Sequence, residues 1–200
     1  MNEIDKKTLI DFYEALYIRH GPNYLGSGWP NQKDQIKRFR ILTEIADLDD
    51  SSILDVGCGF GALYEYLKEN FKNFEYKGID ISKKIIDAAK KKYPEADFRT
   101  HDLIEKDLSS YFDFVLLSGA FNPKLSDNWL FIKNLISRMF GSCIKGIAFN
   151  MFSDKVDYMD KKIHYQNQNQ LRKYLQTLTD KIIERDDYMN YEFTVYLYKK

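Results

Sequence analysis

Ser52-Ile-Leu-Asp-Val-Gly-Cys-Gly-Phe-Gly-Ala62 is the stretch that decides how this chain folds. Ile53, Leu54 and Val56 make a short apolar run that reads as a buried strand. Gly57, Gly59 and Gly61 follow at alternate positions, where the backbone turns tightly and approaches a ligand more closely than a Cβ allows. The helix expected next, over about 61–71 with Leu63, Leu67 and Phe71 inward, aims its free N–H groups at that ligand. Gly57, Gly59 and Ala62 also satisfy G-x-G-x-x-G/A, the pattern that seats a pyrophosphate on a helix N-terminus. Asp55 argues against that ligand. A carboxylate two residues before the first glycine faces the same pocket, repels a pyrophosphate and suits an ammonium or a sulfonium.

A lone glycine pattern is weak, but three further strand ends follow it in order. Lys77-Gly-Ile-Asp-Ile-Ser82 reads as a strand ending in Asp80, with Ser82 capping the next helix. Phe98-Arg-Thr-His-Asp-Leu103 ends a third strand at Asp102. Phe112-Asp-Phe-Val-Leu-Leu-Ser118 is a fourth and runs into Gly119-Ala-Phe-Asn122.

With these signals in place, the D-x-G-x-G-x-G of Asp55 to Gly61 resembles motif I of the class I S-adenosylmethionine (SAM)-dependent methyltransferases. The resemblance covers nearly the whole chain and is similar to small bacterial members of unassigned substrate. It implies a Rossmann-like α/β fold: a seven-stranded, mostly parallel sheet with an antiparallel last strand, helices on both faces and an N-terminal helical cover. It implies SAM as the cofactor. Gly57, Cys58, Gly59 and Gly61 would pack against the cofactor's amino-acid portion, with Asp55 acting through loop geometry and water. Asp80, next to Ile81, would accept the ribose hydroxyls, and Asp102, between His101 and Leu103, the adenine amino group. Ser118 and Gly119 open the segment that resembles motif IV, beside the transferring methyl. Arg38 is a candidate partner for the cofactor carboxylate, its alternative being an exposed ion pair.

The remaining layout is one alternation of helix and strand without repeats. Two helices, over 5–17 and 31–46, precede the sheet, with stripes of Leu9, Ile10, Phe12, Tyr13, Leu16 and Tyr17 and of Ile36, Phe39, Leu42, Ile45 and Ala46. The cover spans 1–48 and the SAM-binding core 49–200 of a single domain, the size one core supports. Asp127 starts a helix over 129–140 that Gly141 stops, and 146–152 is the fifth strand. Ile182–Arg185 and Phe193–Tyr198 are separated by too few residues for a crossover, so they pair antiparallel. That reversal favours a methyltransferase over a nicotinamide-dependent dehydrogenase.

Of 200 residues, 30 are basic and 30 acidic, so no net field draws the chain to nucleic acid or an anionic membrane. The Asn/Asp-Pro-Pro-aromatic signature of DNA and glutamine amino-methyltransferases is absent after the fourth strand, as is a Pro-Cys nucleophile. Cys58 and Cys143 form neither a disulfide framework nor metal-ligand spacing. No leader and no apolar run of spanning length is present, the pattern of a cytoplasmic protein. The expected acceptor is a small metabolite, methylated on O or N, for instance a sugar or glycan precursor. The alternatives are an RNA or protein methyltransferase and a SAM-binding module without catalysis. His20, Asn122, His164, Tyr13 and Tyr17 are the acceptor-side candidates, as bases or positioning groups. Two loops, 20–30 and 153–170, read as the substrate lid because they mix turn formers with aromatics.

Overall fold

The computed structural model describes residues 1–200. Two helices, α1 (Glu3–His20) and α2 (Gln32–Thr43), lead into β1 (Ser52–Val56), α3 (Ala62–Asn70), β2 (Glu75–Asp80), α4 (Lys83–Lys92), β3 (Asp97–Thr100) and β4 (Phe112–Leu117). Then come α5 (Asn128–Ser142), β5 (Cys143–Phe152), α6 (Gln168–Leu175), β6 (Ile182–Met189) and β7 (Glu192–Tyr198). The seven strands form one sheet in the order β3-β2-β1-β4-β5-β7-β6. The first five are parallel, and β7 runs antiparallel to both β5 and β6. Strand order reverses between β1 and β4, and open α/β sheets bind ligands at such a point, beyond the strands' carboxyl ends.

Alternation along the strands splits the core in two. Leu54, Val56, Val115, Leu117, Ile147 and Phe149 face α5 and α6, where Ile132, Ile136, Met139 and Leu171 meet them. Ile53, Phe114, Leu116 and Ala148 face the other way, onto Phe39 and Leu42 of α2 and Leu63 and Leu67 of α3. Burying all these side chains on both faces holds the strand ends, and hence the site, in fixed register.

Four local expectations are corrected. Gly141 does not stop α5: the helix continues to Ser142 and passes directly into β5, because the backbone at Gly141 stays helical and the strand pairing with β4 sets the end. The stretch 153–170 is not all loop, since Asn167 accepts from the Gln170 N–H and starts α6. In α2, Ile36 is 46% exposed while Gln35 and Arg38 are buried, so the inward face carries polar groups. On α1 only Leu9 is buried and Phe12 is 47% exposed, because the helix lies across a cavity instead of on the sheet.

Polar contacts fasten α1 there. Lys6 Nζ bonds Asp102 (2.9 Å) and Glu105 (2.7 Å) after β3. The Ser126 hydroxyl donates to Asp5 (2.6 Å), and the Ser82 hydroxyl donates to Glu14 (2.7 Å), which also meets Lys84 at 3.0 Å. No helix is long and apolar enough to cross a membrane.

Candidate active site

A cavity of about 1150 Å³ opens at the carboxyl ends of β1, β2, β3 and β4, roofed by α1 and the loop before α2. It exceeds the usual 300–1000 Å³ of a single-ligand site, leaving room for two molecules side by side.

The loop after β1 forms its floor. Gly57, Gly59 and Gly61 all have positive φ (71°, 55° and 79°), so the alternating glycines are a requirement of backbone shape. Their surroundings differ. A Cβ on Gly59 would meet only Ser27 Oγ at 3.8 Å across open space, whereas one on Gly61 would lie 2.7 Å from Phe98 and 2.9 Å from Tyr93. Gly59 keeps the floor low, and Gly61 lets α3 pack against β3.

Two acids stand beside this loop. The buried Asp55 accepts a 2.8 Å hydrogen bond from the Tyr76 hydroxyl. Burial pushes its carboxyl up to about 7, the Tyr76 bond pulls it back and Asp80 pushes it further up. Asp80, at the end of β2, accepts from the Gly59 N–H (3.2 Å) and the Ser82 N–H (2.9 Å). Burial raises its carboxyl too, against the lowering by those amides. Two lone-pair positions remain on Asp80 for an incoming hydroxyl pair.

After β4, Asn150 of β5 organises the opposite wall. Its side chain accepts from the Gly119 N–H at 3.0 Å and donates to Ser118 Oγ at 3.1 Å, with no exposure of its own. Gly119 has φ +85°, and a Cβ there would lie 2.6 Å from Trp29. The Trp29 ring in turn carries the Arg38 guanidinium 4.2 Å from its centroid. Arg38 Nε and Nη2 bond Glu192 at 2.7 and 2.6 Å, leaving Nη1 buried without a partner on a side chain that lines the cavity.

The arrangement accommodates an adenosyl sulfonium ligand. An open glycine floor, a carboxylate with free lone pairs at the end of β2, a buried acid and an unpaired buried donor at Arg38 Nη1 answer to its backbone-like end, ribose, positive charge and carboxylate.

Known proteins share this organisation. The protein family described as Methyltransferase domain matches residues 53–138, the span of the glycine loop, both strand-end acids and the segment after β4. The chain carries a methyltransferase domain in the fold of the SAM-dependent methyltransferases. A Mycobacterium tuberculosis protein named as a methyltransferase without an acceptor is 29% identical over 161 residues, 76% of this chain and 95% of the relative. The malonyl-[acyl-carrier protein] O-methyltransferase of Acetivibrio thermocellus is 32% identical over 123 residues, 59% of this chain but only 41% of that relative's length. The magnesium protoporphyrin IX methyltransferase of Synechocystis PCC 6803, solved with bound SAH, superposes with a TM-score of 0.72 at 16% identity over 98% of this chain and 100% of that one.

In this methyltransferase, the fold brings most of the sequence-predicted residues to one cavity. Asp55, Gly57, Cys58 and Gly59 line the floor, Asp80 and Ile81 the next edge, and His101, Asp102 and Leu103 the one after. Ser118, Gly119, Asn122, Arg38 and Tyr13 complete the ring. Asp102 is already engaged, by Lys6 on one oxygen and the Ile104 N–H on the other, and His101 Nε2 lies 2.8 Å from the Lys106 carbonyl.

Four predicted residues do not reach the wall. Gly61 is turned into the Phe98–Tyr93 packing. Tyr17 packs on Phe60 at 5.0 Å between ring centroids. His20 ends α1, where its carbonyl accepts from the Asn23 amide. His164 lies behind the wall: its ring Nε2 meets Gln166 at 3.1 Å, and its N–H donates to the Asn122 carbonyl. Burial lowers its basicity, Gln166 opposes that, and Lys124 adds to it. Arg38 is placed on the wall but not in an exposed ion pair, since Glu192 holds it in the interior.

Sequence reasoning missed Glu192, Trp29 and Tyr76. Each acts through a partner distant in the chain, Glu192 lying 154 positions from Arg38, and no local pattern marks such a pair.

Proposed function

We propose that this methyltransferase transfers the SAM methyl group to an O or N atom of a small-molecule acceptor. The observation that carries the reading is the depth of the cavity, which extends past the cofactor-side acids beneath α1 and the loop 21–30. A small acceptor can be held there, whereas a folded RNA or protein needs an open approach. A neutral net charge supports the same reading.

Bound SAM supplies an electrophilic methyl on a sulfonium. The chain's part is to hold partners close, aligned and dry. Asp80 receives the ribose hydroxyls, Arg38 Nη1 receives the cofactor carboxylate, and Asp55 offsets the positive charge. On the acceptor side, Tyr13 and Asn122 line the cavity. Burial holds the Tyr13 hydroxyl well above its ordinary pKa, helped by nearby Asp80, so it positions the acceptor as a hydrogen-bond donor and does not act as a base. An amine acceptor releases its proton to water.

The test is methyl-labelled SAM incubated with the protein and a cell extract split by size. Label in the small-molecule fraction is the expected outcome. Label confined to RNA or protein would overturn the acceptor class, and saturable SAM binding without label in any fraction would make the chain a binding module.

A further inference from the structure

Apart from Arg38, which Glu192 holds, the acids and lysines on the cavity wall are segregated, although Asp102 is paired with Lys6. Asp55, Asp80 and Asp102 stand on the half bounded by the loops after β1, β2 and β3. Lys124, Lys161 and Lys162 stand on the half bounded by the segment after β4 and the excursion between β5 and α6. Asp160 is the one carboxylate on that half, and it accepts from the Lys162 N–H at 2.8 Å. The three lysines form no ion pair with any carboxylate.

The basic half is a constructed ledge. Pro123 and Ile163 pair as an antiparallel bridge, the Lys124 N–H donates to the Lys162 carbonyl at 2.9 Å, and the His164 N–H donates to the Asn122 carbonyl at 2.8 Å. Two remote segments are thereby locked side by side with their lysines along one cavity edge. Aromatic rings back the ledge: Phe152 packs against Tyr165 and Tyr191 with centroids 6.0 and 5.9 Å apart, and all three line the cavity.

We propose that the acceptor is a small organic acid with a flat apolar body, its anionic group held at the Lys124–Lys161–Lys162 ledge and its body against Phe152, Tyr165 and Tyr191. Opposite charge at the two ends suits two ligands of opposite character, a sulfonium at the acidic end and an anion at the basic end. The same polarity orients the acceptor in one direction. This inference rests on the small-molecule reading above.

The experiment is calorimetric titration of the SAH-saturated protein with a panel of aromatic carboxylates, each matched with its neutral amide. The expected result is a preference of at least tenfold for the acids, weakened by salt and erased in the K124Q/K161Q/K162Q variant, which still binds SAH as the unaltered chain does. Equal binding of acids and amides, no binding across the panel, or a preference that survives in the variant would overturn the ledge as an acid site. An acid preference together with label found only in RNA or protein would leave the ledge standing and remove the small-molecule reading, so the two failures are told apart.

Discussion

Arg38 and Glu192 meet in the interior through two bonds to a single carboxylate oxygen, Nε at 2.7 Å and Nη2 at 2.6 Å, with both side chains 2% exposed. Burial pushes the Glu192 carboxyl up to about 7 against the pull of Arg38. Removing Glu192 leaves an uncompensated guanidinium, and removing Arg38 leaves a buried carboxyl without its hydrogen-bond partner. Glu192→Gln and Arg38→Met are each expected to destabilise the fold by about 3 to 5 kcal/mol, read as a lower denaturant midpoint. The R38M/E192L pair is expected to recover most of that loss and still bind SAH weakly.

Asp80 holds the Gly59 and Ser82 amides as well as facing the cavity, so its two roles are separable by measurement. Asp80→Asn is expected to weaken SAH binding by about 1 to 3 kcal/mol, roughly fivefold to 150-fold, through lost charge-assisted hydrogen bonds. Calorimetry checks this. An unchanged affinity would remove Asp80 from the cofactor contacts.

Gly59 and Gly61 share a left-handed backbone but not a neighbourhood. Alanine at either costs about 1 to 2 kcal/mol of backbone strain. At Gly61 the new Cβ also strikes Phe98 and Tyr93, so thermal unfolding is expected to fall markedly further for G61A than for G59A. Valine at Gly59 is expected to abolish SAH binding in a protein that remains folded by circular dichroism.

The high pKa of Asp55 links cofactor binding to pH. Its folded value of about 7 lies above the ordinary carboxyl value, so the stability it adds to the empty protein is present below about 4 and is lost as pH rises through 7. A positively charged cofactor favours the ionised form. SAM affinity is therefore expected to rise by up to about tenfold per pH unit below 7 and to level off above it, with proton release on binding. In Asp55→Asn the slope and the released proton are expected to disappear, which separates Asp55 from the ligand's own amino group.

Sheet order and the gathering of the acids and glycines at the strand ends are legible because their signals are local. An apolar run, an acid at its end and a glycine or capping serine just after it mark the end of β1 and of β2 within a few residues each, and a strand pair too close for a crossover exposed the antiparallel end. The acceptor side was less so. Hydrophobic periodicity turns Ile36 inward and leaves Gln35 out, and although Arg38 reads toward the cofactor, nothing local marks its burial against Glu192. His20, Tyr17 and His164 fell short of the wall for a similar reason: a loop or helix location fixes which residues are near a cavity, but the last few ångströms depend on packing by Phe60, Gln166 and Asn23.

Helix α1 contributes one fully buried side chain, Leu9, while its attachment runs through Lys6, Asp5 and Glu14 at the surface. Ligand traffic therefore has a route: swinging this segment aside breaks a few polar contacts and lifts Leu9, Tyr13 and Tyr17 off the packing beneath, while the helices packed on the two faces of the sheet stay in place. The residence time of a bound nucleoside should accordingly shorten as ionic strength rises, even where the melting temperature of the sheet does not move.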